Sequence, residues 1–386
     1  MKIDRLEKFL YEIYMAGQRR LDSGPAEAGW AGRKSVLVLG PPGVGKSLTA
    51  YSLGRRIAKT LGKTFIDYSD DVAERILSEP DKYFVFVDLR LTECEPSDLI
   101  GIPRTVDGAT AYHPLLWAKC LSKCAGLLFL DEITNIQRPD VISASYKLLY
   151  DRKAGFTKFH PDVFVIAAGN TPEHSSVANL LPVPLIDRTI VVEIDPPRVR
   201  TWAKWMNKTY GEAWDRRVLA FLLRFEDEHY ILKTPRVNET LENYPTPRSW
   251  TDVALLLHAG LNSDELFIGT LGKEVGQKFK AFLKVRVDLE ELMSNPELFK
   301  LLDLDARYMT CVMLGNWLSK NIKKAKKAFP LIDAMAEVSR DLLVLTVMSM
   351  RRNLAKFFRM LFAYNKKYSL ALNKVFLELR KEIANE

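Results

Sequence analysis

Gly40-Pro-Pro-Gly-Val-Gly-Lys-Ser47 fits the pattern G-x-x-x-x-G-K-[ST], with the apolar run Val36–Leu39 just before it and a helix-forming stretch from Leu48 onward. The glycines let the backbone curl so that several N–H groups and the start of a helix face one anion, which suits the phosphates of a nucleotide. The cradle comprises Gly40, Pro41, Pro42, Gly43, Val44, Gly45, Lys46, Ser47 and Leu48. Lys46 is expected to reach the β- and γ-phosphates, and the Ser47 hydroxyl to ligate Mg²⁺.

Working outward, similar apolar runs recur at Phe84–Val87, Leu127–Leu130, Val163–Ala168 and Thr189–Ile194, each ending near turn residues. Continuous runs of this length, rather than alternating ones, predict strands buried on both faces, hence a parallel sheet covered by helices. Residues 1–197 therefore read as one α/β domain. After Pro196-Pro197 the strand signal vanishes, and the remainder reads as helices broken by a loop over Thr234–Arg248. From Leu331 to Glu386 there is no Gly or Pro, and Leu354, Phe357, Phe358, Leu361 and Phe362 predict an amphipathic helix with a basic face of Lys356, Arg359 and Lys366.

A phosphate cradle alone binds without cutting, so hydrolysis also needs a metal carboxylate, a group to activate water and a cation. Leu127-Leu-Phe-Leu-Asp-Glu132 is a buried strand ending in two carboxylates. Asp131 is the candidate Mg²⁺ ligand and Glu132 the candidate group to polarise water. A solvated Asp-Glu pair is the plainer alternative. Val165-Ile-Ala-Ala-Gly-Asn170 brings an amide to the neighbouring strand end, where Asn170 could position that water or simply form a Gly-Asn turn.

Composition narrows the remaining classes. The chain has 386 residues, enough for two or three compact units, and its 47% hydrophobic and 27% charged content excludes a disordered or fibrous chain. The longest apolar run, Leu342–Met350 interrupted by Thr346 and Ser349, is too short for a membrane span. The opening residues lack a hydrophobic signal segment, and four cysteines are too few for a disulfide scaffold, so a cytoplasmic location is expected. Cys120 and Cys124 have no second Cys or His pair nearby to complete a zinc site. The net charge of +8 is unevenly placed: Asn321–Glu386 holds fourteen Lys/Arg against six Asp/Glu, while residues 1–320 balance.

Taken together, these segments resemble the AAA+ ATPases, and more closely their MoxR branch. Asp88-Leu-Arg-Leu-Thr-Glu-Cys-Glu-Pro-Ser-Asp-Leu-Ile-Gly-Ile-Pro103 is similar to the segment leading into that branch's inserted hairpin, here about Ile102–Pro114. Pro182-Val-Pro-Leu-Ile-Asp-Arg188 is similar to the family's arginine-finger segment, and Tyr244-Pro-Thr-Pro-Arg-Ser-Trp250 to its sensor 2 motif. The resemblance implies a five-stranded parallel core over 1–197 and a helical lid over 198–300, followed by a basic helical extension over 301–386 that matches nothing in the family. It also implies ATP as the nucleotide. Arg188 would act on the γ-phosphate of a neighbouring subunit in a homo-oligomeric, usually hexameric, ring, and Arg248 on that of its own.

Hairpins are expected at Ile102–Pro114, turning at Asp107-Gly108, and at Arg152–His160, turning at Ala154-Gly155. Tyr112, His113, Phe156 and Lys158 are the candidates for partner contact, or else plain loop decoration. The chain departs from the family in placing Thr189 after the finger, and in reading Ile133-Thr-Asn-Ile-Gln-Arg138 where relatives carry Ile-Asn-Arg, which leaves a trans role for Arg138 open.

Three functional readings follow. The first is a ring-forming ATPase that remodels a protein client, with a separate von Willebrand factor A domain partner. The second is a nucleic-acid motor using the basic tail, where Phe357, Phe358, Tyr364 and Tyr368 interleave with Lys and Arg. The third is a nucleotide-held scaffold with little turnover.

Overall fold

In the computed structural model, residues 1–23, 34–106, 108–171, 179, 181–187, 189–233 and 243–368 are described. The chain divides into two compact units at Pro196/Pro197.

The first unit is built on ten strands: β1 (Val36–Leu39), β2 (Thr64–Asp67), β3 (Tyr83–Arg90), β4 (Ile102–Val106), β5 (Ala109–His113), β6 (Ala125–Asp131), β7 (Lys153–Ala154), β8 (Thr157–Lys158), β9 (Val163–Gly169) and β10 (Ile190–Glu193). Six of them form a parallel sheet in the order β10-β1-β9-β6-β3-β2. The sheet is thus one strand wider than the expected five. The additional edge strand, Thr-Phe-Ile-Asp, has exposed ends and only half-buried apolar residues, so it carries no apolar run.

Successive residues of the central strands feed opposite cores. Val85, Val87, Leu128, Leu130 and Val165 join one core, whereas Phe84, Phe86, Leu127, Phe129 and Ile166 join the other. The helices Ile3–Ser23 and Lys46–Thr60 cover the second face, and Asp70–Ser78, Leu116–Lys123 and Pro139–Tyr150 cover the first. Burial on both sides is what made these strands read as unbroken apolar runs. Cys120 and Cys124 lie in the first core, where burial pushes both thiols up to about 11.

The two expected hairpins are present as β4–β5 and β7–β8. Gly108 is left-handed, with φ 79°, while Asp107 lies outside the described residues. In the second hairpin Ala154 pairs with Thr157, so the turn residues are Gly155 and Phe156 rather than Ala154 and Gly155. Gly155 has φ 57°, and a Cβ there would sit 2.1 Å from the Ile100 carbonyl oxygen, so only glycine fits. The hairpins meet through Tyr112 and Phe156, with ring centroids 5.8 Å apart and exposures of 46% and 73%.

The second unit is helical, and one hydrophobic core runs from Val199 to Tyr368 without a break near residue 300. Its helix Leu354–Tyr364 buries Phe357, Phe358 and Leu361 and exposes Lys356 and Arg359. Of the aromatic residues expected to interleave with cations for nucleic-acid stacking, Phe357, Phe358 and Tyr368 are buried, whereas Tyr364 is 47% exposed and donates to Asp333. No helix among the described residues is long and apolar enough to cross a membrane.

Candidate functional site

Parallel pairing sets four strand ends side by side. Leu39 of β1 is level with Gly169 of β9, Leu130 of β6 with Ala167 of β9, and Arg90 of β3 with Asp131 of β6. The loops leaving these carboxyl ends hold the candidate residues, the usual ligand-binding edge of an open α/β sheet.

The cradle closes through its glycines. Gly43 and Gly45 take left-handed φ values of 71° and 100°. A Cβ on Gly40 would lie 2.5 Å from Ile194 Cγ1. Gly45 caps the helix Lys46–Thr60 without any side-chain bond, and the first turn contains no acid, which leaves its N–H groups open to an anion. Lys46 Nζ donates to the carbonyls of Gly40 (2.8 Å) and Pro41 (2.9 Å) and to Asn170 Oδ1 (3.0 Å). Three oxygen acceptors thus hold the ammonium over the loop.

Ser47 Oγ donates to Asp131 Oδ2 at 2.9 Å, while Asp131 Oδ1 accepts from the Glu132 backbone N–H at 2.8 Å. A hydroxyl beside a carboxylate is a hard-oxygen pair that fits Mg²⁺, an ion that keeps several waters and takes few protein ligands. Asn170 is fixed from behind, its N–H donating to Thr134 Oγ1 at 2.9 Å.

Glu132 sits in the left-handed region at φ 60°, an uncommon conformation for a residue with a side chain and one that turns it out of the strand line. Its Oε2 accepts from Thr92 Oγ1 at 3.0 Å, and its Oε1 is 3.6 Å from Arg90 Nε, with Arg90 also paired to Glu93 at 2.8 Å. Thr92, Arg90 and Thr134 are functional candidates that sequence reasoning missed. Only the strand order reveals them, β3 beside β6 for Thr92 and Arg90 and β9 beside β6 for Thr134. Asp88 on β3 has its carboxyl pushed up to about 6, first by burial and then by the charge of Asp131.

Lys46, Ser47, Asp131, Glu132 and Asn170 are therefore brought to one edge. Arg188 lies outside the described residues. Arg248 belongs to the second unit, exposed in the first turn of Pro247–His258, a helix that begins inside the expected loop. That helix is secured by reciprocal bonds between Thr246 and Ser249, at 2.7 Å and 3.1 Å. Arg138 is held within its own chain, 2.9 Å from Asp140 and paired with Glu95.

The profile of the AAA family, the ATPase family associated with various cellular activities, matches residues 36–193. That stretch of the chain is similar to the AAA-family ATPase domain. No curated protein sequence matches the chain. Among solved structures, Caenorhabditis elegans PCH-2 aligns at 12% identity over 75% of this chain and 64% of its own, with a TM-score of 0.33, so this chain spans under two thirds of that protein. The Aeropyrum pernix ORC1 protein in complex with DNA aligns at 14% identity over 90% and 82% of the two chains, with a TM-score of 0.38. The FIGL-1 AAA domain in complex with ADP aligns at 16% identity over 77% and 87%, with a TM-score of 0.37.

Proposed function

We propose that the chain is a Mg²⁺-dependent ATPase of the MoxR branch that assembles into a ring, expected to be hexameric, and uses ATP hydrolysis to remodel or assemble a protein partner. The observation that carries this reading is the convergence of Lys46, Ser47, Asp131 and Asn170 through bonds of 2.9–3.0 Å, with Glu132 at the same strand end. A scaffold that only binds nucleotide has no need of that full set.

In this reading the cradle N–H groups and Lys46 bind the phosphates, with Ser47 and Asp131 holding the metal. The bound Mg²⁺ neutralises phosphate charge. Glu132 polarises the attacking water, Asn170 fixes its orientation, and Arg188 and Arg248 supply cations from the neighbouring subunit and from the lid (198–300). The MoxR assignment is supported by the Asp88–Pro103 segment and the β4–β5 hairpin, whose Tyr112 meets Phe156 as an exposed aromatic pair suited to contact with a client. The partner is expected to carry a von Willebrand factor A domain on a separate chain. The free thiols of Cys94, Cys120, Cys124 and Cys311 fit a reducing, cytoplasmic setting.

The test is ATPase rate per subunit against protein concentration, for the parent and Arg188→Ala, with mass photometry to follow assembly. The expected result is a rate that rises with assembly and collapses in the variant. A rate independent of concentration and indifferent to Arg188 would refute the ring and the finger together.

A further inference from the structure

Ile322-Lys-Lys-Ala-Lys-Lys-Ala328 repeats with a period of three, and it folds as a 3-10 helix, whose turn is about three residues. Such runs are usually shorter. This one is held because Ile322, Ala325 and Ala328 stack in a single buried column. The other two columns are lysine, Lys323 aligned with Lys326 and Lys324 with Lys327, all four exposed. At about 2 Å of rise per residue, the members of each pair stand roughly 6 Å apart along the axis. That is the scale on which successive phosphates follow one another along a nucleic-acid strand.

Among the described residues, the carboxylates nearest the ladder in sequence are engaged by other groups. None occurs in the sequence between Asp305 and Asp333. Asp303 caps its own helix, Asp305 pairs with Arg224 at 2.7 Å, Asp333 accepts from the Tyr364 and Tyr368 hydroxyls, Glu337 pairs with Lys300 at 2.7 Å, and Asp341 pairs with Arg200 at 2.8 Å. Among the described residues, none of the ladder lysines forms an ion pair, whereas Lys278 and Lys280 of the same unit pair with Glu228 and Asp264.

The positive face continues onto the helix Leu354–Tyr364, which packs against the ladder. Arg351 N donates to Ser319 Oγ at 2.8 Å and Arg352 Nε to Ser319 O at 3.3 Å, tying both to the end of the helix that leads into the ladder. The first turn of Leu354–Tyr364 has no acid and no side-chain cap, because Asn353 Nδ2 donates to Ser319 O instead.

We propose that this face of the helical unit binds the phosphodiester backbone of nucleic acid without regard to base sequence. Phe357 and Phe358 are buried and offer no stacking surface. A membrane surface fits less well because the apolar side of Leu354–Tyr364 is spent in the core, and a duplex offers the four lysines a denser array of charge than an acidic peptide does.

The test is fluorescence anisotropy of the full chain, without nucleotide, on labelled duplexes of two unrelated sequences across a salt series. Four lysine–phosphate contacts contribute a slope of about −3.6 in log K against log salt, equivalent to about 150-fold in affinity between about 50 and 200 mM. The variant carrying Lys323→Gln, Lys324→Gln, Lys326→Gln and Lys327→Gln should bind both duplexes more weakly and lose that part of the slope, while Lys278→Gln with Lys280→Gln should change neither. Thermal melts check folding, and the milder pair Lys323→Gln with Lys327→Gln should lose about half the slope. Parental binding by a folded ladder variant overturns the proposal. So does ladder-dependent binding of polyglutamate or of phosphatidylserine vesicles that is tighter than binding of duplex. Because no nucleotide is present, failure here leaves the ATPase reading untouched.

Discussion

Removing the Thr92 hydroxyl should speed basal ATP turnover. Glu132 is the group assigned to the attacking water, yet its carboxylate is engaged sideways, accepting from Thr92 Oγ1 at 3.0 Å and facing Arg90 Nε at 3.6 Å. To act on water beside the cradle, it must leave these partners. Buried hydroxyl–carboxylate bonds are worth about 1.5–3 kcal/mol, but the Glu132 and Arg90 side chains are 37% and 55% exposed. Screening brings the Thr92 bond to about 1 kcal/mol and the Arg90 pair to about 0.5 kcal/mol. Those values correspond to rises in kcat of up to about fivefold for Thr92→Val and about twofold for Arg90→Ala. Thr92→Ser keeps the hydroxyl and should keep the parental rate. The assay is steady-state ADP release at saturating ATP and fixed protein concentration, with nucleotide affinity measured in parallel. A folded Thr92→Val protein with intact nucleotide affinity and an unchanged or lower rate would refute the restraint. If the faster rate persists in a Thr92→Val, Glu132→Gln double variant, the water is activated by some other group.

Lys46→Ala deletes the ammonium held by three oxygen acceptors and should weaken ATP binding by about 10- to 150-fold, the worth of one charge-assisted bond, as measured by calorimetric titration. Asp88→Asn should remove a pH dependence. The folded pKa of about 6 lies above the unfolded value near 3.9, so the native state holds the proton more tightly and stability falls as pH rises between those values. Because the residue is accessible to solvent, the gain above pH 6 should be only about 1 kcal/mol, vanishing below about pH 4, in melts across the pH range. Phe357→Ala should cost about 3–5 kcal/mol in urea unfolding of the helical unit, because its ring is 1% exposed in the core rather than presented to a ligand.

How far the sequence could be read depended on whether the physical cause was local. The cradle was legible because its glycines, lysine and serine are contiguous and work through their own backbone. The four inner strands were legible because burial on both faces forces unbroken apolar runs; of the two edge strands, β10 still carried an apolar run, while β2, half solvated, left none to see. The engagement of Glu132 by Thr92 was not legible, because 40 residues separate the pair and only the β3–β6 register brings them together. The basic tail was half legible: its surplus of charge was plain and the amphipathic pattern put Phe357 and Phe358 opposite Lys356 and Arg359, where the structure has them, so it was their use for stacking that failed. The better signal was the period. At 3.6 residues per turn, Ile322, Ala325 and Ala328 would fan over about 120° of the helix surface. At 3.0 they stay in register, and burying that narrow column obliges all four lysines to face solvent together. The observed pitch converts a run of charge into a spaced array.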